Sequence, residues 1–375
     1  MATDLGDRLV RWTKAGLIDE ETAARIRQFE GEHAGAGRLR WPMLVALAFG
    51  AIMVATGILL FVSAHWDILS PHRRFTLVLM LVAIFHVVGA TMAERFPAMS
   101  STLHALGTVA LGAGIFLAGQ IFNLDEHWPG GIMLWALGPA VGMAMLGQAP
   151  QVALLAILAP AWLASEWFVA TERAAFDSSR ILASGVLLLA LAYFTVPTRN
   201  TIDVRRRSLF WIGGVSLLPA AAFTALVASE VSRTPGTPHV TGTLRSLGWA
   251  TAVALPTMLA LLLRGKDAWP NLLAAAWVAA LCNLRAVGGD AFLYAWWAIG
   301  ATSLVAWGVR DAGRERINMG AAIFAATVIA FYFSEVMDKL GRSASLVGLG
   351  LLFLAGGWAL ERIRRRLISS VRGST

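Results

Sequence analysis

The sequence predicts an all-α fold: a polytopic transmembrane helical bundle of about twelve spans behind a short cytosolic helical hairpin. Three observations predict it. Apolar stretches of roughly 16 to 23 residues recur along the chain, long enough to cross a hydrocarbon core of roughly 30 Å. Hydrophobic residues make up 57% of the 375 and charged residues only 14%, with a mean hydropathy of +0.65, whereas soluble domains carry roughly a quarter charged residues. Lys and Arg are also placed unevenly: with the N-terminus inside, 22 of the 31 fall on the inner side and 9 on the outer. That asymmetry is what the positive-inside rule requires, and it puts both termini in the cytoplasm.

Residues 1–38 are expected to form the hairpin and a tether. Leu5, Leu9 and Trp12 share one helical face, Gly16 closes that helix, and Asp19 caps the next, with Glu20 and Glu21 in its first turn. Ile26 and Phe29 would meet the first stripe, and Gly31, Gly35 and Gly37 would make the tether flexible. The first apolar run begins at Pro42, too late for a signal peptide, so it is expected to remain as an anchor. Residues 39–196 form a first transmembrane half with spans 42–64, 75–93, 103–122, 131–147, 151–170 and 180–196. Residues 197–360 form a second half with spans 209–229, 246–263, 270–285, 289–308, 316–333 and 345–360, and 361–375 are a basic cytosolic tail. The fourth span is short and its join to the fifth at Gly147 to Gln151 is tight; an eleven-span chain would reverse the second half.

Small residues mark a packing seam in the third span, where Ala110, Gly114 and Ala118 recur every fourth position. Trp41, Trp66, Trp128, Trp167 and Trp269 sit near expected helix ends, as interfacial anchors do. An internal echo links Asn123, Gly130-Gly131 and Trp135 to Asn283, Gly288-Gly289 and Trp297, six spans apart, the spacing of a six-plus-six duplication.

The function classes narrow by exclusion. The net charge of +8 arises in short connections and tails, so membrane orientation accounts for it and nucleic acid does not. Cys282 is the lone cysteine, which excludes an intramolecular disulfide and any multi-cysteine metal site. There is no Walker-type glycine loop, dinucleotide-binding glycine pattern, nucleophile elbow or H-E-x-x-H, and no cofactor is indicated. The polar residues of the first half instead gather on the outer side. His65, Asp67 and His72 lie in the first outer loop, Asn123, Asp125, Glu126 and His127 in the second, and Glu166 near the outer end of the fifth span. Imidazoles and carboxylates together bind hard or borderline divalent cations or relay protons. Against that, Asp125 and Glu126 also suit the start of the fourth helix, with Pro129 in its first turn. His86 lies near the middle of the second span, where an ionisable group is a functional candidate by default. His104 and Gln120, at opposite ends of the third span, are expected to line the same path.

Three stretches carry a resemblance: Trp12-Thr-Lys-Ala-Gly16-Leu-Ile-Asp19, Ala64-His65-Trp66-Asp67, and Gly119-Gln120-Ile-Phe-Asn123-Leu-Asp125-Glu126-His127-Trp128-Pro129-Gly130-Gly131. Over roughly residues 5 to 170 the chain resembles the bacterial membrane proteins catalogued as domain of unknown function 2157. The resemblance implies a multi-pass inner-membrane protein with a short cytosolic N-terminal region, and implies no activity.

The leading functional expectation is a transport or permeation protein for a small molecule or ion. Its outward vestibule would be lined by His65, Asp67, Asp125, Glu126, His127 and Glu166, with His86, Gln120 and Asn123 along the pathway. The alternatives are a scaffold or envelope-assembly factor without substrate, and a membrane-embedded enzyme using the outer cluster for metal or acid-base chemistry. Oligomeric state is open.

Overall fold

The computed structural model describes residues 12–34, 70–122, 127–172, 175–197, 203–230, 240–283 and 290–336, with Leu9, Met53 and scattered positions between 347 and 362. The expected spans 42–64 and 345–360 lie largely outside these residues. All regular structure among the described residues is helical. An apolar segment in lipid has no water to satisfy its peptide groups, and a helix satisfies them within the segment. The chain divides into two compact units, Met1–Arg74 and Phe75–Thr375.

In the first unit α1 spans Glu20–Ala34. The segment before it ends as the sequence requires: Gly16 adopts φ +67°, and Leu17 N–H returns to the Trp12 carbonyl at 3.0 Å. Asp19 Oδ1 accepts from Thr22 N–H at 2.9 Å, an N-cap that holds the Asp19 carboxyl below its ordinary range. The expected tether begins later than Gly31, because α1 continues through it to Ala34. Gln28, Glu30 and Glu32 are good helix formers and absorb the roughly 1 kcal/mol that one glycine costs. The partner helix of the expected hairpin falls mostly outside the described residues.

The second unit is a bundle. Its helices are α2 (Pro71–Thr91, whose first turn belongs to the first unit), α3 (Pro97–Ile121), α4 (Pro129–Leu146) and α5 (Ala149–Ala170), then α6 (Ala175–Phe194) and α7 (Val204–Glu230). After these come α8 (Gly242–Arg264), α9 (Trp269–Asn283), α10 (Asp290–Arg310) and α11 (Arg314–Phe331). Among the described residues, 8 stretches are long and apolar enough to cross a membrane. The expected count over the same region is higher for two reasons. α6 supplies only the shorter apolar stretch Ser178–Phe194. α8 and α9 form one 40-residue apolar stretch, Gly242–Leu281, broken by a 3₁₀ turn at Gly265–Ala268, and 15-residue α9 is only about 22 Å long.

α6 lies inside the bundle. Ile181, Ala183, Leu187, Ala190 and Phe194 are all buried, and they lie around its circumference. It packs on α5, α7, α8 and α9. Tyr193 Oη donates to the Ala156 carbonyl of α5 at 3.2 Å, and Thr224 Oγ1 of α7 lies 3.2 Å from the Ala183 carbonyl. The outer faces carry Met145, Val215, Leu226 and Leu262, each at least 65% exposed, a surface that hydrocarbon tolerates and water does not.

Glycines admit tryptophans between helices. Trp135 lies over Gly112, Trp167 over Gly248 and Trp277 over Gly300, and a Cβ on any of these glycines would overlap the indole. Trp167, expected as an interfacial anchor, is therefore an interhelical wedge, and its Nε1 donates to the Ser178 carbonyl at 3.0 Å. Trp128 and Trp269 are about half exposed at helix ends, as anchors are; Trp41 and Trp66 lie outside the described residues. The α3 seam is also shifted: Gly107, Gly112 and Gly114 are its buried glycines, with Gly114 against Val78 of α2, while Ala110 and Ala118 are only half-buried. In the internal echo, Trp135 fills a glycine site of the helix before it, whereas Gly300, three residues beyond Trp297, receives Trp277.

Candidate functional site

His65, Asp67, Asn123, Asp125 and Glu126 lie outside the described residues. Of the expected outer cluster, His127 and Glu166 come together where α4 begins and α5 ends. His127 Nε2 is 2.6 Å from Glu166 Oε2, and Trp162 Nε1 donates to Glu166 Oε1 at 2.9 Å. Both side chains are substantially exposed, at 53% and 37%. The pair offers two ligands, and no set of three His, Cys, Asp or Glu side chains that could hold a metal occurs among the described residues. Gln120 is exposed on the last turn of α3. It lies about 24 Å along that helix from His104, so Gln120 and Glu166 stand toward the opposite end of α3 from His86.

His86 belongs to a different constellation. α2 and α3 are antiparallel and carry the same tetrapeptide pattern, His86-Val-Val-Gly89 and His104-Ala-Leu-Gly107. Each imidazole lies across the other helix's glycine: the His86 ring occupies the space where a Gly107 side chain would stand, and His104 lies 3.1 to 3.2 Å from a Cβ at Gly89. The reciprocal fit leaves the ring centroids 5.5 Å apart at 62°. His86 Nδ1 donates to the Val82 carbonyl at 2.9 Å, which assigns the tautomer through its acceptor. His104 is 5% exposed, and its Nδ1 has no hydrogen-bond partner among the described residues.

One face of α3 extends the polar character. Ser100, His104 and Thr108 recur at four-residue intervals, about 6 Å apart along the axis, and all three are buried. Ser100 Oγ has no partner among the described residues. Thr108 Oγ1 donates to the His104 carbonyl at 2.9 Å and accepts from Nε2 of fully buried Gln151 at 3.0 Å. Trp135 Nε1 donates to the Thr108 carbonyl at 2.9 Å. Sequence reading singled out His86 and His104 separately; the signal that pairs them is the repeated His-x-x-Gly. Gly107→Ala is expected to cost about 1–3 kcal/mol, since the new methyl overlaps the His86 ring. Gly119→Ala meets nothing within 4 Å and is expected to be neutral or stabilising by up to about 1 kcal/mol. Thermal unfolding of the two variants side by side measures the difference.

A second constellation, absent from the sequence expectations, lies where α6, α8 and α10 end. Asp311 sits in the turn between α10 and α11. Its Oδ2 accepts from Arg264 Nη2 at 2.9 Å, from Trp307 Nε1 at 3.0 Å and from Arg316 Nη1, and its Oδ1 accepts from Arg310 Nε at 3.0 Å. The same arginines close the end of α6: Arg316 Nη2 donates to the Thr195 carbonyl at 3.0 Å, and Arg264 Nη1 donates there too. Asn271 Nδ2 donates to Thr195 Oγ1 at 3.1 Å. Burial pushes the Asp311 carboxyl up, but the Arg264 hydrogen bond and the Arg316 and Arg264 charges outweigh it and hold the group below its ordinary range. The residues are 47 and 5 apart in sequence from Asp311, and only the fold reveals the convergence.

Crossing-length apolar helices with a lipid-compatible surface define a multi-pass membrane protein. Residues 10–153 match the family model described as "Predicted membrane protein (DUF2157)", in agreement with the resemblance read from the sequence. No curated protein and no solved structure matches the chain. The match covers the His86–His104 pair, Thr108, His127 and Gln151; the Asp311 cluster lies beyond it.

Proposed function

We propose that this chain is a permeation protein of a bacterial inner membrane that conducts protons along the buried face of α3. The observation that carries the reading is the His86–His104 pair: two titratable groups facing each other within apolar helices, with unsatisfied polar atoms on His104 and Ser100 beside them. Ionisable groups are rare at such positions and typically mark proton relays, and imidazole exchanges protons near neutral pH. Buried polar atoms normally have hydrogen-bond partners, and water entering along Ser100, His104 and Thr108 would supply them. The His127–Glu166 pair, at the opposite end, would be the outer acceptor, with the arginine-rich end of the bundle and both termini cytoplasmic.

The test is proton flux into proteoliposomes under an imposed pH gradient, followed with an entrapped pH indicator. Wild type is expected to exceed protein-free vesicles, and His104→Leu and His86→Leu to fall to their leak. Leu106→Ala, on an exposed face of α3, is expected to conduct as wild type. Flux unchanged in both histidine variants would remove the basis of the reading.

A further inference from the structure

The second constellation adjoins a cavity that the proton pathway does not use. It has a volume of about 360 Å³, within the size range of small-molecule sites, and lies among α6, α7, α9, α10 and α11. Leu191, Leu217, Leu273, Trp277, Trp297 and Leu304 form much of its wall. Along α10 the lining runs from Trp297 to Arg310, about 20 Å. That exceeds the roughly 15 Å that one leaflet contributes to a 30 Å hydrocarbon core. A slot of this length, lined mostly by apolar side chains and reaching the end of α10 at Arg310, has the dimensions of a lipid chain.

The end where it begins is charged. Arg310 lines the cavity, is 37% exposed, and stacks its guanidinium 4.6 Å above the Trp269 ring. It gives Nε to Asp311, and its remaining donors have no partner among the described residues. Asp311 is already shared with Arg264 and Arg316, so one carboxylate faces three guanidinium groups. Segments 264–267 and 310–316 together hold five basic residues against the three acidic residues Asp267, Asp311 and Glu315, which leaves an excess of two positive charges. Trp269 and Trp307, also in the lining, suit the headgroup boundary, where an indole keeps its ring in hydrocarbon and its N–H toward polar groups.

We infer that this slot binds one anionic phospholipid, an acyl chain lying along α10 between the tryptophans and the phosphodiester on Arg310. A guanidinium offers a phosphate two parallel hydrogen bonds. The apolar wall gives the chain a place that the bulk bilayer matches in polarity but not in shape, so preference among lipids is set at the headgroup. The site is independent of proton conduction.

The experiment is native mass spectrometry of delipidated protein titrated with phosphatidylglycerol and with phosphatidylcholine of the same acyl chains. Phosphatidylglycerol is expected to bind about fivefold more tightly, the effect of one cationic contact with an anionic headgroup. Arg310→Gln is expected to remove the preference while leaving weak binding of both lipids. Leu273→Trp, at an exposed position of the wall, is expected to fill the slot and reduce binding of both. Glycerol 3-phosphate, which carries the charge without a chain, is expected not to compete. Equal binding of the two lipids to wild type, a preference that survives Arg310→Gln, full binding to Leu273→Trp, or displacement by glycerol 3-phosphate would each overturn the assignment. Thermal unfolding of both variants at the wild-type temperature confirms that they are folded.

Discussion

Asp311→Ala is expected to destabilise the protein by about 3–5 kcal/mol, because it strands buried arginines without a counter-charge. The Arg264 and Arg316 side chains are 3% and 9% exposed. Neither can move its charge into water without pulling the ends of α8 and α11 from the C-terminus of α6, where both donate to the Thr195 carbonyl. Asp311→Asn keeps a hydrogen-bond acceptor and loses the charge, so it is expected to fall between wild type and alanine. Denaturant or thermal unfolding in a fixed detergent measures the order. The pH dependence has a definite sign. The Asp311 carboxyl is held below its ordinary value in the folded protein, so its contribution is complete above pH about 4, the unfolded carboxylate value. It is lost as pH falls through the lower folded-state value. Asp311→Ala is expected to lack this acid-side loss.

Gly213→Ala is the second large effect, expected at or above the upper end of the 1–3 kcal/mol typical of overpacking. A Cβ at Gly213 of α7 would overlap Phe194 N and lie 2.7 Å from Tyr193 C and 2.8 Å from the Ala190 carbonyl oxygen. These are backbone atoms of α6, and no rotamer change relieves the overlap; the two helices must separate. Gly214, one residue on, meets only the Phe194 ring at 3.4 Å, and Gly214→Ala is expected to change stability by less than about 0.5 kcal/mol. The same unfolding assay compares the two. A large cost at both positions would show that glycine is needed there for a reason other than the α6–α7 approach.

The helices were legible because bilayer crossing demands length and apolarity, and both are written locally; the starts at Pro71, Pro97 and Pro129 also follow from local chemistry. Burial was not legible in the same way. In a membrane protein lipid-facing and core-facing residues are equally apolar, so nothing in Ile181 to Phe194 marks α6 as the interior helix. Trp167 looked like an anchor because tryptophan at a helix end favours the interface, and only the position of Gly248 on a distant helix makes it a wedge. His86 was singled out by its depth, but its partner depended on the crossing point of α2 and α3, which the glycines of the two His-x-x-Gly sequences fix. The arginines at 264 and 316 read as ordinary inner-loop charge because their common partner, Asp311, adjoins one and is remote from the other.

Proton conduction along α3 requires that water reach its buried face. Thiol accessibility in membrane vesicles addresses it most directly, and Cys282→Ser removes the one native cysteine. In that background, Ser100→Cys and Thr108→Cys are expected to react with a small charged thiol reagent at rates comparable to a cysteine at exposed His127. Leu106→Cys, on an exposed and lipid-compatible face, is expected to stay unreactive. Positions 100 and 108 as inert as 106, with 127 reacting normally, would mean a dry α2–α3 interface and would contradict proton conduction along it.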